Sequence, residues 1–197
     1  GSAMGVVLAG DWITMILFWE VLAIASWLVV IASRTEAASK AGFRYLLMHM
    51  LGGNLLLVGI VLKVSGGSFD VACLTDSEDA AYWLMLAGAA VNAAIPPLHA
   101  WMPDAYPEST LGGTVYLGTY TTKVGIYTLI RLFAGAELLL HFGVFMALFG
   151  ALMALLENDL RRLFSYHIIS QLGYMVVSLA LGTALGIDGA VAHVFGN

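Results

Sequence analysis

The sequence predicts an all-α polytopic membrane protein with about six transmembrane helices, the start of a seventh, and one helix broken near Pro96-Pro97. Three observations predict it. The 197 residues are 60% hydrophobic and 11% charged, with mean hydropathy +0.90, where a soluble domain carries about 25% charged residues. Six apolar runs, 12–32, 43–63, 81–101, 112–133, 138–158 and 164–182, approach the ~20 residues that cross a bilayer. None alternates apolar with polar residues, so they read as helices and not as barrel strands.

Taken in order, the first run carries Glu20, ~12 Å from its start at ~1.5 Å per residue. The loop 33–44 that follows holds Arg34, Lys40 and Arg44, and the second run carries His49 about two turns inside. An acidic stretch, Asp70, Asp76, Glu78 and Asp79, precedes the third run. It reads as a solvated surface, with ion attraction as the sharper alternative. Asn92 lies deep in the third run, which then meets Pro96-Pro97. Proline lacks an amide donor and clashes with the preceding turn, so the pair interrupts a helix. In a bilayer such a break survives only where protein or a water-filled cavity satisfies the freed carbonyls. His99 stands beside it.

The fourth run carries Lys123 ~16 Å from its start. The fifth opens near His141 and the sixth near His167, and a seventh segment with His193 begins near Gly189. The charges of the loops orient the chain. Arg34, Lys40, Arg44, Arg161 and Arg162 lie on one side, and Lys63 and Arg131 on the other, which places the first set in the cytoplasm. Residue 1 and loop 64–80 are then external.

Of thirteen acids only Glu20 falls well inside an apolar run, and of eight bases only Lys123 does. Each costs on the order of 3 kcal/mol on insertion scales, so both should face the interior of the bundle. For each, a structural reading stands beside the functional one: Glu20 as a tolerated acid bonded to a neighbouring helix, Lys123 as a snorkelling partner. Asn92 alone reads as helix–helix glue or as a pathway residue. No two histidines stand at i, i+3 or i+4, which argues against a metal site. The single Cys73 excludes an internal disulfide and any multi-cysteine cluster. Neither a dinucleotide fingerprint nor a P-loop or hydrolase elbow is present, so no cofactor is expected. A net charge of −5 without a basic patch points away from nucleic acid. The partners expected are the lipid bilayer and other membrane subunits, and the location is the cell (inner or plasma) membrane, crossed several times.

Three stretches carry a family resemblance. GDWITMILFWEVLAIASW (10–27), PPLHAWMPDAYPES (96–109) and ENDLRRLFSYHIISQLGYMV (157–176) resemble, in order, motifs of the antiporter-like membrane subunits. These are the proton-pumping subunits of respiratory complex I and the large subunits of Mrp-type cation/proton antiporters, and the motifs look nearest to the D-type large subunits of the Mrp group. The resemblance implies a fourteen-helix protein of which residues 1–197 form a fragment, about helices five to ten of a single proton-conducting domain, with AHVFGN opening the next helix. It matches Glu20 to the family glutamate and Lys123 to the central Lys or His. The family lysine on the broken helix falls at Asn92, and this is a departure. Glu20 then faces a neutral amide and itself takes up and releases a proton; alternatively His49 supplies the missing charge, or this copy keeps a structural role only.

The function expected is proton translocation along a mid-membrane file through Glu20, Asn92 and Lys123, with His99, His49 and His167 as further pathway candidates. Ser165, Tyr166, His167, Ser170 and Gln171 read first as capping and packing, and second as groups that orient water. Two other classes are weighed: a non-transporting scaffold subunit, and a quinone-binding subunit of an oxidoreductase. In a complex I-like assembly the chain would belong to an NADH:quinone oxidoreductase without carrying redox cofactors.

Overall fold

The computed structural model describes residues 1–67, 69–74 and 79–196. Asp76 and Glu78 of the acidic stretch, and Asn197, lie outside the described residues. Among those described the regular structure is helical, with one isolated bridge between Asp11 and Asp70. The helices are α1 (Ser2–Leu8), α2 (Trp12–Ile31), α3 (Glu36–Ser65), α4 (Ala80–Asn92), α5 (Trp101–Ala105), α6 (Leu111–Phe133), α7 (Glu137–Leu156), α8 (Leu160–Ala180) and α9 (Ala184–Gly196). Four of them, α2, α3, α7 and α8, are long and apolar enough to cross a membrane. Helix α6 has 23 residues but is less apolar, because it carries Lys123, Arg131 and several threonines.

The start of most long helices is written in a single polar residue. Asp11, Thr35, Asp79, Thr110 and Asp159 each accept a backbone N–H of the first turn of α2, α3, α4, α6 and α8, satisfying donors that have no partner within the helix. Thr35 lets α3 start at Glu36, seven residues before its apolar run, with Glu36 and Lys40 paired on the exposed side at 2.7 Å.

The caps have a pH consequence. Asp11 accepts from Thr14 N at 2.8 Å and from the Thr14 hydroxyl at 2.7 Å. The Thr14 backbone N–H, and after it the hydroxyl, hold the Asp11 carboxyl below the usual carboxylate range. Because the folded value is the depressed one, the stabilisation is present above the unfolded value of about 3.9. It is lost as pH falls through the folded value. Asp11→Asn keeps the cap but does not titrate. It is therefore expected to flatten the acid limb of the thermal-unfolding profile of the detergent-solubilised protein; equal limbs in the two proteins would count against the cap as the source.

Packing is close where glycine allows it. Helices α7 and α8 meet along Gly143, Gly150 and Gly173, where an added Cβ would meet backbone of the facing helix. Helix α3 meets α4 at Gly52, Gly59 and Gly88, where an added Cβ would meet side-chain and backbone atoms of the facing helix. Helix α1 is held by α6: Tyr127 donates its hydroxyl to Val7 O at 2.7 Å, and Arg131 donates to Ala9 O at 2.6 Å.

The region of the prolines differs from a simple interruption. Helix α4 ends at Asn92, ahead of Pro96-Pro97. Ala94 has φ +53°, Ile95 N donates to Ala90 O at 2.9 Å, and Ala94 N donates to Val91 O at 3.1 Å. This is a Schellman ending, with alanine at the left-handed position that glycine usually fills. The prolines follow this ending, as residues that cannot continue a helix commonly do. The peptide Pro96-Pro97 is cis, turns follow, and α5 begins at Trp101. The expected span 81–101 thus holds α4 from its second residue to its end and a turn region, and reaches only the first residue of the five-residue α5.

Candidate functional site

Helix α3 supplies the floor of the site. His49 and Gly53 lie four residues apart, one turn on the same face. Glu20 of α2 is half-buried, and its carboxylate sits directly over Gly53; a Cβ at that position would collide with Glu20 Oε1. Glycine is needed here for close approach, and an apolar helix otherwise loses stability by carrying it. No hydrogen bond or ion pair of the Glu20 carboxylate is formed among the described residues.

His49 is buried, 3% exposed. Its Nδ1 lies 3.1 Å from Tyr45 O, and its Nε2 lies 3.2 Å from Asn92 Oδ1. Asn92, also 3% exposed, reaches it from the last turn of α4. The imidazole is boxed by rings: Tyr45 stacks on it at 3.9 Å, and Trp101 meets it edge-on at 4.5 Å. Trp101 is itself fixed, since its indole N–H donates to Val91 O at 3.0 Å. Val91 O, which accepts from Ala94 N in the Schellman ending, thereby gains a second donor from α5. Tyr106 packs on Trp101 at 5.8 Å and donates to Leu117 O of α6 at 3.1 Å. Near the Tyr45 hydroxyl, Ser26 of α2 and Thr121 of α6 share a hydrogen bond of 3.0 Å.

The structure therefore brings Glu20, His49 and Asn92 together, and it does not place Lys123 with them. The buried side of α6 is Gly118, Thr121, Thr122 and Gly125, with Gly125 against the backbone of Asn92 and Ala93. Lys123 points away from it, into a groove of about 570 Å³ lined also by Val7, Tyr120, Tyr127 and Val194. This groove lies between α1, α6 and α9. Lys123 has no hydrogen bond or ion pair there among the described residues.

His99 lies in another cavity, lined by Pro96, Pro97, His141, Phe142 and Phe149. Its ring meets Phe149 at 4.9 Å, and its buried Nδ1 has no partner among the described residues. His167 is exposed on α8, away from the cluster. Among its neighbours, Ser165 donates to Arg161 O at 3.1 Å, Ser170 donates to Ala147 O at 2.9 Å, and Gln171 pairs with His193 at 2.8 Å.

Sequence reasoning missed three parts of the site. Tyr45 and Trp101 enclose His49, and Gly53 makes room for Glu20. The i, i+4 spacing of Tyr45 and His49, and the Gly52-Gly53 pair inside an apolar run, were the available signals.

An all-α membrane chain with a carboxyl, an imidazole and an amide gathered on adjacent helices, and an ammonium in the next groove, has the build of an antiporter-like membrane subunit. Residues 9–196 match the family described as NADH:quinone oxidoreductase/Mrp antiporter, transmembrane, and the chain belongs to that family. It is 35% identical to an uncharacterized protein of Methanocaldococcus jannaschii, over 100% of this chain and 44% of that one. It is 29% identical to a Na(+)/H(+) antiporter subunit of Alkalihalophilus pseudofirmus, over 96% of this chain and 42% of that one. Among solved structures, the membrane-bound sulfane sulfur reductase, an archaeal respiratory membrane complex, contains a chain that superposes with TM-score 0.88 at 27% identity. That match covers 98% of this chain and 44% of the other. The chain thus spans less than half the length of each of these relatives.

Proposed function

We propose that the chain is part of a proton-translocating, antiporter-type subunit of a multisubunit membrane complex, Mrp-like or complex I-like, in the cell membrane. In this reading it contributes about six spans, with α4 and α5 as the two parts of one broken helix and other membrane subunits as partners. One observation carries it: the Glu20 carboxylate seated on Gly53, one turn from the buried His49–Asn92 pair. Apolar helices rarely hold such groups without a pathway role, because each is costly to insert.

Glu20, His49 and Asn92 form one station of the file, and Lys123 in its separate groove forms the next. Moving one charge across 100 mV involves about 2.3 kcal/mol, within reach of rearranging a single ion pair. The test is ion flux in vesicles that hold the full assembled complex, wild type against Lys123→Ala. Flux is expected to fall at least about tenfold with subunit levels intact, a loss of ~1.4 kcal/mol. Unchanged flux would make Lys123 structural and turn the reading towards a non-transporting scaffold, which Asn92 in place of the family lysine also favours.

A further inference from the structure

The hydrogen bonds of His49 define which of its nitrogens carries a proton. Tyr45 O is a carbonyl and can only accept, so at 3.1 Å from it His49 Nδ1 must be the protonated nitrogen. In the neutral ring Nε2 is then a bare acceptor, and in the charged ring it is a donor. The group facing Nε2 is an amide, 3.2 Å away. An amide has a donor end and an acceptor end that exchange places by a half-turn about the side chain's last bond. With its NH₂ towards Nε2, Asn92 donates to neutral His49; with Oδ1 towards Nε2, it accepts from charged His49. In each state the His49 Nε2 has a partner in the amide, which reduces the main penalty a buried switch has to avoid. A lysine in place of Asn92 has donors only and would repel the charged ring.

We propose that His49 is a protonatable group of this station, beside Glu20, and that Asn92 is the partner that reorients to hydrogen-bond each of its two charge states. This rests on the proton-translocating reading and adds a proton carrier to it. On uptake one proton joins the Nε2 lone pair and imidazole becomes imidazolium; on release the same proton returns to the file, and nothing else is exchanged. The rings hold the imidazole still, so the amide is the moving part: Tyr45 stacks on one side and Trp101, itself tied to Val91 O, closes the edge. The elements packed against α3 are α2, α4 and α5. From α2 the titratable group is Glu20, over Gly53 one turn along α3 from His49. From α4 the partner is Asn92, and Tyr82 stands near the far end of that helix. From α5 and its end, Asp104 is engaged by Arg44, and Tyr106 donates to Leu117 O. Tyr45 is the remaining titratable neighbour, on α3 itself.

Histidine-labelled ¹⁵N solid-state NMR on the full assembled complex in lipid vesicles tests this, with His49→Gln used to assign the signal. The expected result is a neutral form with its proton on Nδ1, and an Nε2 signal that moves to the protonated position within the pH range over which flux changes. His49→Gln is expected to lower flux at least tenfold at normal subunit levels, and Asn92→Leu, which offers neither donor nor acceptor, to lower it similarly. A neutral form protonated on Nε2, an Nε2 signal that does not move, or full flux in His49→Gln overturns the proposal. Absence of proton current in wild-type vesicles overturns the functional reading instead; the NMR signals in vesicles that do carry current judge the proposal alone.

Discussion

Glu20→Gln is expected to reduce proton-coupled flux by at least about tenfold, or ~1.4 kcal/mol, while the complex assembles normally. Glutamine has nearly the same volume and fits the space over Gly53, but it cannot take up or release a proton. Since the carboxylate makes no ion pair among the described residues, its removal leaves no buried countercharge stranded. That separates this variant from the usual break of a buried salt bridge, where destabilisation dominates. Flux in vesicles, normalised to the subunit content, is the measurement. Full activity in Glu20→Gln would reduce the acid to a packing residue, and the station would have to work through His49 alone.

The largest structural effect should come from Gly150→Ile. At Gly150 an added Cβ lies 2.8 Å from Ser170 Cα and 2.8 Å from Tyr166 O. Both are backbone atoms of α8, so no side chain can turn aside to make room. Overpacking of this kind costs typically 1–3 kcal/mol and occasionally more, and a rigid backbone seam belongs at the upper end. In membranes small residues at such seams supply the close packing that holds helices together. Far less assembled complex is expected from membranes, with a lower midpoint of thermal unfolding in what remains. Gly189→Ile is the control, because a Cβ there meets nothing within 4 Å. Equal yields from the two variants would show that the α7–α8 seam is not limiting.

Much of the helical layout was legible because apolar runs and capping residues report it directly. The run 12–32 corresponds to α2 at Trp12–Ile31, and 112–133 to α6 at Leu111–Phe133. The 30 residues of α3 were less legible, since Glu36, Lys40 and Arg44 break the apolar run while the helix continues through them to its cap at Thr35. Seven-residue α1 is too short for an apolar-run argument and is held by Tyr127 and Arg131, which lie about 120 residues away. In the site, depth alone singled out Glu20, Asn92 and Lys123, but depth does not say which way a side chain points. Asn92 faces α3 and Lys123 faces α1 and α9, with Gly125 on the side of α6 that lies against the backbone of Asn92 and Ala93. His49 could be named from the sequence; its partner on each side could not, because one is its own helix backbone and the other is 43 residues away.

The ending of α4 has a consequence of redundancy. Two independent instructions stop the helix: the Schellman geometry centred on Ala94, and the prolines that follow. Either one is enough to keep the chain from continuing as helix, so the interruption tolerates the loss of one of them in the course of sequence drift. The indole of Trp101 does two things at once. It reaches back across the turn region to Val91 O while also forming a wall of the imidazole box. Selection should therefore bear on the tryptophan more heavily than on the prolines that make the interruption visible.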